Sequence, residues 1–188
     1  MSDRFDEVAD FRASLDPETD RGCVLMAASF LDSELELLLG NFVVNDSKVI
    51  EETFSQGKAV GTFSSRIDLA YLLGLIGKSA RRDLHLIRKI RNAFGHTYRP
   101  LSFADQDISN RCRELTYTLR PDTDPPRKHF VSAAVGALAI IHSAMHKRER
   151  ITLRADPDLD AAKARAANII SRIKDALDDS SNSDSRID

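Results

Sequence analysis

The chain has 188 residues, 42% of them hydrophobic and 30% charged, with a net charge of -2. That length suits one sizeable domain, and the composition excludes wholesale disorder. The near-neutral charge excludes a protein that coats nucleic acid with its whole surface, but leaves room for a local basic site.

The opening MSDRFDEVADF has no apolar stretch like that of a secretory signal. No run is expected to reach the roughly 18 apolar residues that cross a bilayer. Cys23 and Cys112 stand far apart at no metal-ligand spacing and read as two free thiols of a reducing compartment. A cytoplasmic chain with no membrane attachment is the expectation.

Helical periodicity dominates and strand alternation is nearly absent. Residues 4–15 read as a short acidic helix. In TDRGCVLMAASFLDSELELLLGNFV, Val24, Ala27, Ala28, Leu31, Leu35, Leu38 and Phe42 recur at three and four. This predicts a long helix with one wide buried stripe, leaving Asp32, Ser33 and Glu36 largely on the other side. Asp46 or Ser47 can cap a short helix, KVIEETF, and SQGKAVGT is a loop by its glycines. FSSRIDLAYLLGLIG is apolar nearly all round and belongs in the core. Phe63, Ser64 and Ser65 read as a staple and cap before Arg66, and Gly77 as the stop.

KSARRDLHLIRKIRNAF follows, with Leu84, Ile87, Ile90 and Phe94 as its buried stripe and Gly95 as its expected end. Arg88, Arg91 and Asn92 flank that stripe at i, i+3 and i+4, so their heads share one edge. His96 comes in or just past the last turn. RPLSFADQD is a loop, and Ser102 or Asp105 starts a helix expected to run to about Leu119. The prolines of RPDTDPPRK break the chain again. HFVSAAVGALAIIHSAMHKRER is a helix whose Ala and Gly suit close packing. Asp156 and Pro157 form an N-cap and N1 pair for a last amphipathic helix carrying Leu159, Ala162, Ala166, Ile169, Ile173 and Leu177. The sum is an all-α single-domain bundle of about seven or eight helices over residues 1–178, with a disordered polar tail over 179–188.

Charge is distributed unevenly. Lys78, Arg81, Arg82, Arg88, Lys89, Arg91 and Arg99 surround a single acid, Asp83, whereas the first twenty residues are rich in Asp and Glu. An acidic first helix could dock on the basic one, or on that of a second copy.

Three constellations could carry chemistry. Arg91 and His96, with Asn92 between, combine a phosphate-gripping guanidinium, an imidazole that moves protons near neutral pH, and an orienting amide. Such a set could cleave RNA without a metal through its 2′-hydroxyl, given a second acid or base from a symmetric dimer. The plain alternative is a solvated helix rim with a His favoured by the helix dipole. His142 and His146, at i and i+4, could hold zinc, but only Glu149 stands near as a third ligand, so packing for His142 and solvation for His146 are expected. Asp20, Arg21, Asp32, Glu34 and Glu36 could do acid–base work, but read better as a salt-bridged exposed helix face. No phosphate-binding glycine loop, helix-turn-helix or Cys/His finger is found, and neither a metal nor a cofactor is expected.

TDRGCVLMAASFLDSELELLL, GTFSSRIDLAYLLGLIG and DLHLIRKIRNAFGHT together resemble the mannitol operon repressor (MltR-like) family, in order and at suitable separations, over about residues 15–120. The resemblance implies a bacterial cytoplasmic all-α regulator of sugar-alcohol uptake genes. It further implies a protein without a recognised DNA-binding domain, acting through a protein partner or DNA-binding regulator, with self-association as a homodimer. Arg88, Arg91, Asn92, His96, Asp20 and Arg21 are the candidate binding residues. RNAFGH also resembles the Arg-x4–6-His motif of HEPN-type helical domains, many of which are dimeric RNases or RNA-binding toxins. That second resemblance would give Arg91 and His96 catalytic roles, with Asn92 as the polar residue after the Arg, and would imply direct nucleic-acid binding.

Overall fold

Four of the helices start where a short polar side chain takes an amide that the first turn leaves without a partner. The computed structural model of the protein describes residues 2–121 and 123–184. Among them are eight helices and no strand: α1 (Ser2–Leu15), α2 (Asp20–Phe42), α3 (Ser47–Phe54), α4 (Phe63–Leu72), α5 (Lys78–His96), α6 (Gln106–Arg113), α7 (Pro126–Lys147) and α8 (Leu159–Asp184). Thr19 Oγ1 accepts from Gly22 N at 3.0 Å to open α2, and Asp46 Oδ1 accepts from Val49 N at 3.1 Å to open α3. At α4 the cap is Thr62 rather than the serines after Phe63, and Ser65 completes a reciprocal capping box with it. At α8 the cap is Asp158, whose Oδ1 accepts from Asp160 N and Ala161 N. Asp156 and Pro157 precede the helix without starting it.

The chain divides into two compact units, Met1–Thr152 and Leu153–Asp188. The second consists of α8 and the segment leading to it. Ile169, Ile170 and Ile173 are exposed on α8. Of the tail expected to fray, residues up to Asp184 continue α8, and 185–188 lie outside the described residues.

The first unit is built around α2 and α7, which make the most extensive contact of any helix pair; α5 packs on both and α1, α4 and α6 close the sides. The α2 stripe buries Cys23, Val24, Ala27, Ala28, Leu31, Leu35, Leu38 and Leu39. Against it α7 buries Phe130, Ala133, Ala134, Ala137, Leu138 and Ile141. By length and composition α7 is apolar enough to cross a membrane, contrary to the sequence expectation that no segment is. Its apolar side chains belong to the bundle core.

Other expectations are also corrected. α4 stops at Leu72, well before Gly77, because Gly74 takes a φ of 69°. Gly74 N donates to Tyr71 O and Leu75 N to Ala70 O, the paired bonds of a Schellman stop. Gly77 then serves as the N-cap of α5. Gly95 lies inside α5, which ends at His96. The chain turns away there because Arg21 Nη2 donates to Thr97 O at 2.9 Å and Arg99 O at 3.3 Å.

α6 ends at Arg113 rather than near Leu119. The fully buried Asp83 carboxylate takes Thr116 N at 2.7 Å, Tyr117 N at 2.8 Å and the Thr116 hydroxyl at 3.0 Å. A helix there would have to keep those amides for its own carbonyls.

Candidate functional site on the fifth helix

α5 turns Ala80, Asp83, Leu84, Leu86, Ile87, Ile90 and Phe94 inward. Its polar remainder is graded. Arg88, Arg91 and Asn92 are half-buried, whereas Lys89 and His96 are exposed. Arg91 Nη1 donates to Asn92 Oδ1 at 3.0 Å, which ties the guanidinium to its own helix. Arg88 Nε is buried without a partner. Arg88, Arg91 and Gly95 share an edge by helical spacing. A Cβ on Gly95 would stand 3.9 Å from Leu25 Cδ2, so this edge borders α2. Leu25 and Met26 are exposed on that helix.

On the other side of α5 runs a groove toward α6. A hollow of about 490 Å³ is lined by Lys89, Asn92, Ala93, Arg111 and Glu114, among others. A second, of about 330 Å³, shares Ala93 and Arg111 and continues to Leu101 and Asp107. Asn92 therefore joins two features: its oxygen holds Arg91, and its side chain lines the groove.

Asp20 and Arg21 lie at the start of α2 and work inside the chain. Asp20 Oδ2 accepts from Phe103 N at 3.0 Å and Oδ1 from Arg127 Nη1 at 2.7 Å. With Arg21 on Thr97 and Arg99, the pair straps the segment TYRPLSF to α2. Neither Asp20 nor Asp68 is bonded to Arg91 or His96.

Asp68 Oδ1 instead accepts from His85 Nε2 at 3.0 Å and from Arg81 Nε at 2.8 Å, joining α4 to α5. The His85 hydrogen bond, assisted by Arg81 and opposed by burial, holds the Asp68 carboxyl below its ordinary value of 3.8.

The acids of α2 are salt-bridged as expected, with Glu36 exposed, but Asp32 and Glu34 are half-buried rather than exposed. Arg66 is buried, and reaches Asp32 Oδ1 and Glu36 Oε2, both at 2.7 Å, and Phe54 O at 3.0 Å. Glu34 Oε2 meets His142 Nε2 at 2.9 Å, with the His142 ring buried in α7. These are cross-helix ties that fix α2 against α4 and α7. His146 is exposed one turn on. Among the described residues no group of three His, Cys, Asp or Glu side chains is placed to hold a metal ion.

Asp83, Arg127 and the Asp68–His85 pair tie the helices together in roles that the sequence reading did not assign to them. Asp83 had a signal: it falls in phase with Ala80, Leu84 and Ile87 on the buried stripe, where a carboxylate must find donors. Arg127 follows two prolines with no local cue.

No family model matches the chain, and no curated protein matches it. The fold, however, has a solved counterpart. A chain in the X-ray structure of the MtlR-HPr complex from Escherichia coli aligns with a TM-score of 0.61 and 19% identity, over 71% of this chain and 97% of that one. At that identity the likeness establishes a shared fold, so this all-α chain adopts an architecture found in that complex.

Proposed function

We propose that the chain is a regulator of the mannitol operon repressor type, acting through contact with a second protein rather than by reading bases itself. The observation that carries this reading is the fold shared with a chain of the MtlR-HPr complex. The partner class it suggests is a protein of the HPr kind. The surface best suited to it is the α5 edge bearing Arg88 and Arg91, beside the exposed Leu25 and Met26 of α2. Cations around a small apolar centre favour a partner with an acidic rim. Self-association of the bundle belongs to the same reading.

Titration of purified HPr into the protein tests it. A saturable complex is expected, weakened about tenfold or more when Arg88→Glu and Arg91→Glu are combined, since reversed charges on a contact edge repel. Absence of any complex, or tight sequence-specific DNA binding by the protein alone, would overturn the reading.

The nucleolytic reading has one observation in its favour: His96 is exposed at the end of a basic helix. It predicts RNA cleavage in EDTA that disappears in His96→Ala and Arg91→Ala. Equal activity of wild type and variants would end it.

A further inference from the structure

Away from α5, an open pocket of about 450 Å³ lies between the end of α1 and the start of α7. Its walls bring together cations from three separate segments: Arg12 of α1, Arg120 of the loop before α7, and Arg127 and Lys128 of the first turn of α7. Among the described residues, Asp16 is the one acid lining it.

Arg127 is already committed. Its Nη1 binds Asp20, and its Nη2 donates to the carbonyls of Leu15 at 3.0 Å and Glu18 at 2.5 Å. It forms a fixed positive wall. The other three cations are under-used. Arg120 and Lys128 share the Asp124 carboxylate at 3.8 and 3.9 Å. Charge-assisted hydrogen bonds close to roughly 2.7–2.9 Å, so neither head is satisfied there. Arg12 has no partner among the described residues and is exposed.

We propose that this pocket binds a small-molecule phosphomonoester. Donors converge from three directions, which matches the several oxygens of a tetrahedral dianion better than the two coplanar oxygens of a carboxylate. The volume is that of a small-molecule site. The buried Val131 and the Ser132 side chain, also in the lining, give the esterified body one apolar and one polar contact. Asp124, held at long range, acts as a counter-ion that the phosphate displaces. The proposal uses none of the α5 residues and stands apart from the partner-protein reading.

Calorimetric titration at constant ionic strength, with glycerol 3-phosphate, inorganic phosphate and uncharged glycerol as probes, tests it. Saturable one-to-one binding of glycerol 3-phosphate is expected, tighter than inorganic phosphate, with none for glycerol. Combined Arg120→Gln and Lys128→Gln should weaken it about tenfold or more. Arg12→Gln alters an exposed side chain that holds nothing, so helix content should persist while affinity falls several-fold. Lys48→Gln on α3, an exposed cation away from the pocket, should leave binding unchanged. No saturable binding, or affinity unmoved by Arg12→Gln and by the double variant, would overturn the site. Equal affinity for inorganic phosphate and glycerol 3-phosphate would overturn the monoester assignment.

Discussion

Cys23 and Cys112 are fully buried free thiols, and burial pushes them up from an ordinary 9.0 to about 11 and about 12. For Cys23 the Arg127 charge works against that rise without cancelling it. The unfolded chain releases these protons first. Their contribution to stability is therefore complete below pH 9.0 and declines as pH rises from there toward about 11 for Cys23 and about 12 for Cys112. Urea unfolding across that range should show the loss, and Cys23→Ala with Cys112→Ala should flatten it. Near neutral pH a thiol reagent should leave the native protein unlabelled and label both cysteines once it is unfolded.

At the scale of elements, one contact chain joins α5 to α7 through the segment after α6. Asp83 pins Thr116 and Tyr117, and a Cβ on Gly136 of α7 would come within 2.6 Å of Tyr117 O. The glycine lets α7 lie close to backbone that Asp83 has fixed. Asp83→Ala strands two amides beside the core and should lower the unfolding free energy by about 3 kcal/mol. Gly136→Ala drives a methyl into backbone and should cost about 2 kcal/mol. Because both act on Tyr117, the double variant should lose less than the sum, read from denaturant unfolding of all three. The helix face of α5 was legible beforehand, since Leu84, Ile87, Ile90 and Phe94 recur with the helical period. The shortness of α6 was not, because nothing between 102 and 119 shows that its amides go to a carboxylate on another helix.

At the scale of the molecule, the first unit closes its own core around α2 and α7. A chain ending at Thr152 should therefore keep the helices α1–α7 and unfold in one cooperative transition, as followed by circular dichroism in urea. A molten, non-cooperative product would show that the first unit requires residues beyond 152.

Spacing along the sequence by itself determined the all-α class, most helix spans and the stripes of α2, α5 and α7, because periodicity reports a geometry local to a few residues. Only the tertiary structure decided what the polar residues do. Asp83 finds Thr116 33 positions away, and Arg127 reaches Leu15 112 positions back. Asp20 and Arg21, read as binding residues, also tie TYRPLSF to α2, while Arg12, Arg120 and Lys128, unmarked in the sequence, meet around one pocket. A buried charge must have a partner, but its partner is set by which helices pack together, and no local pattern encodes that.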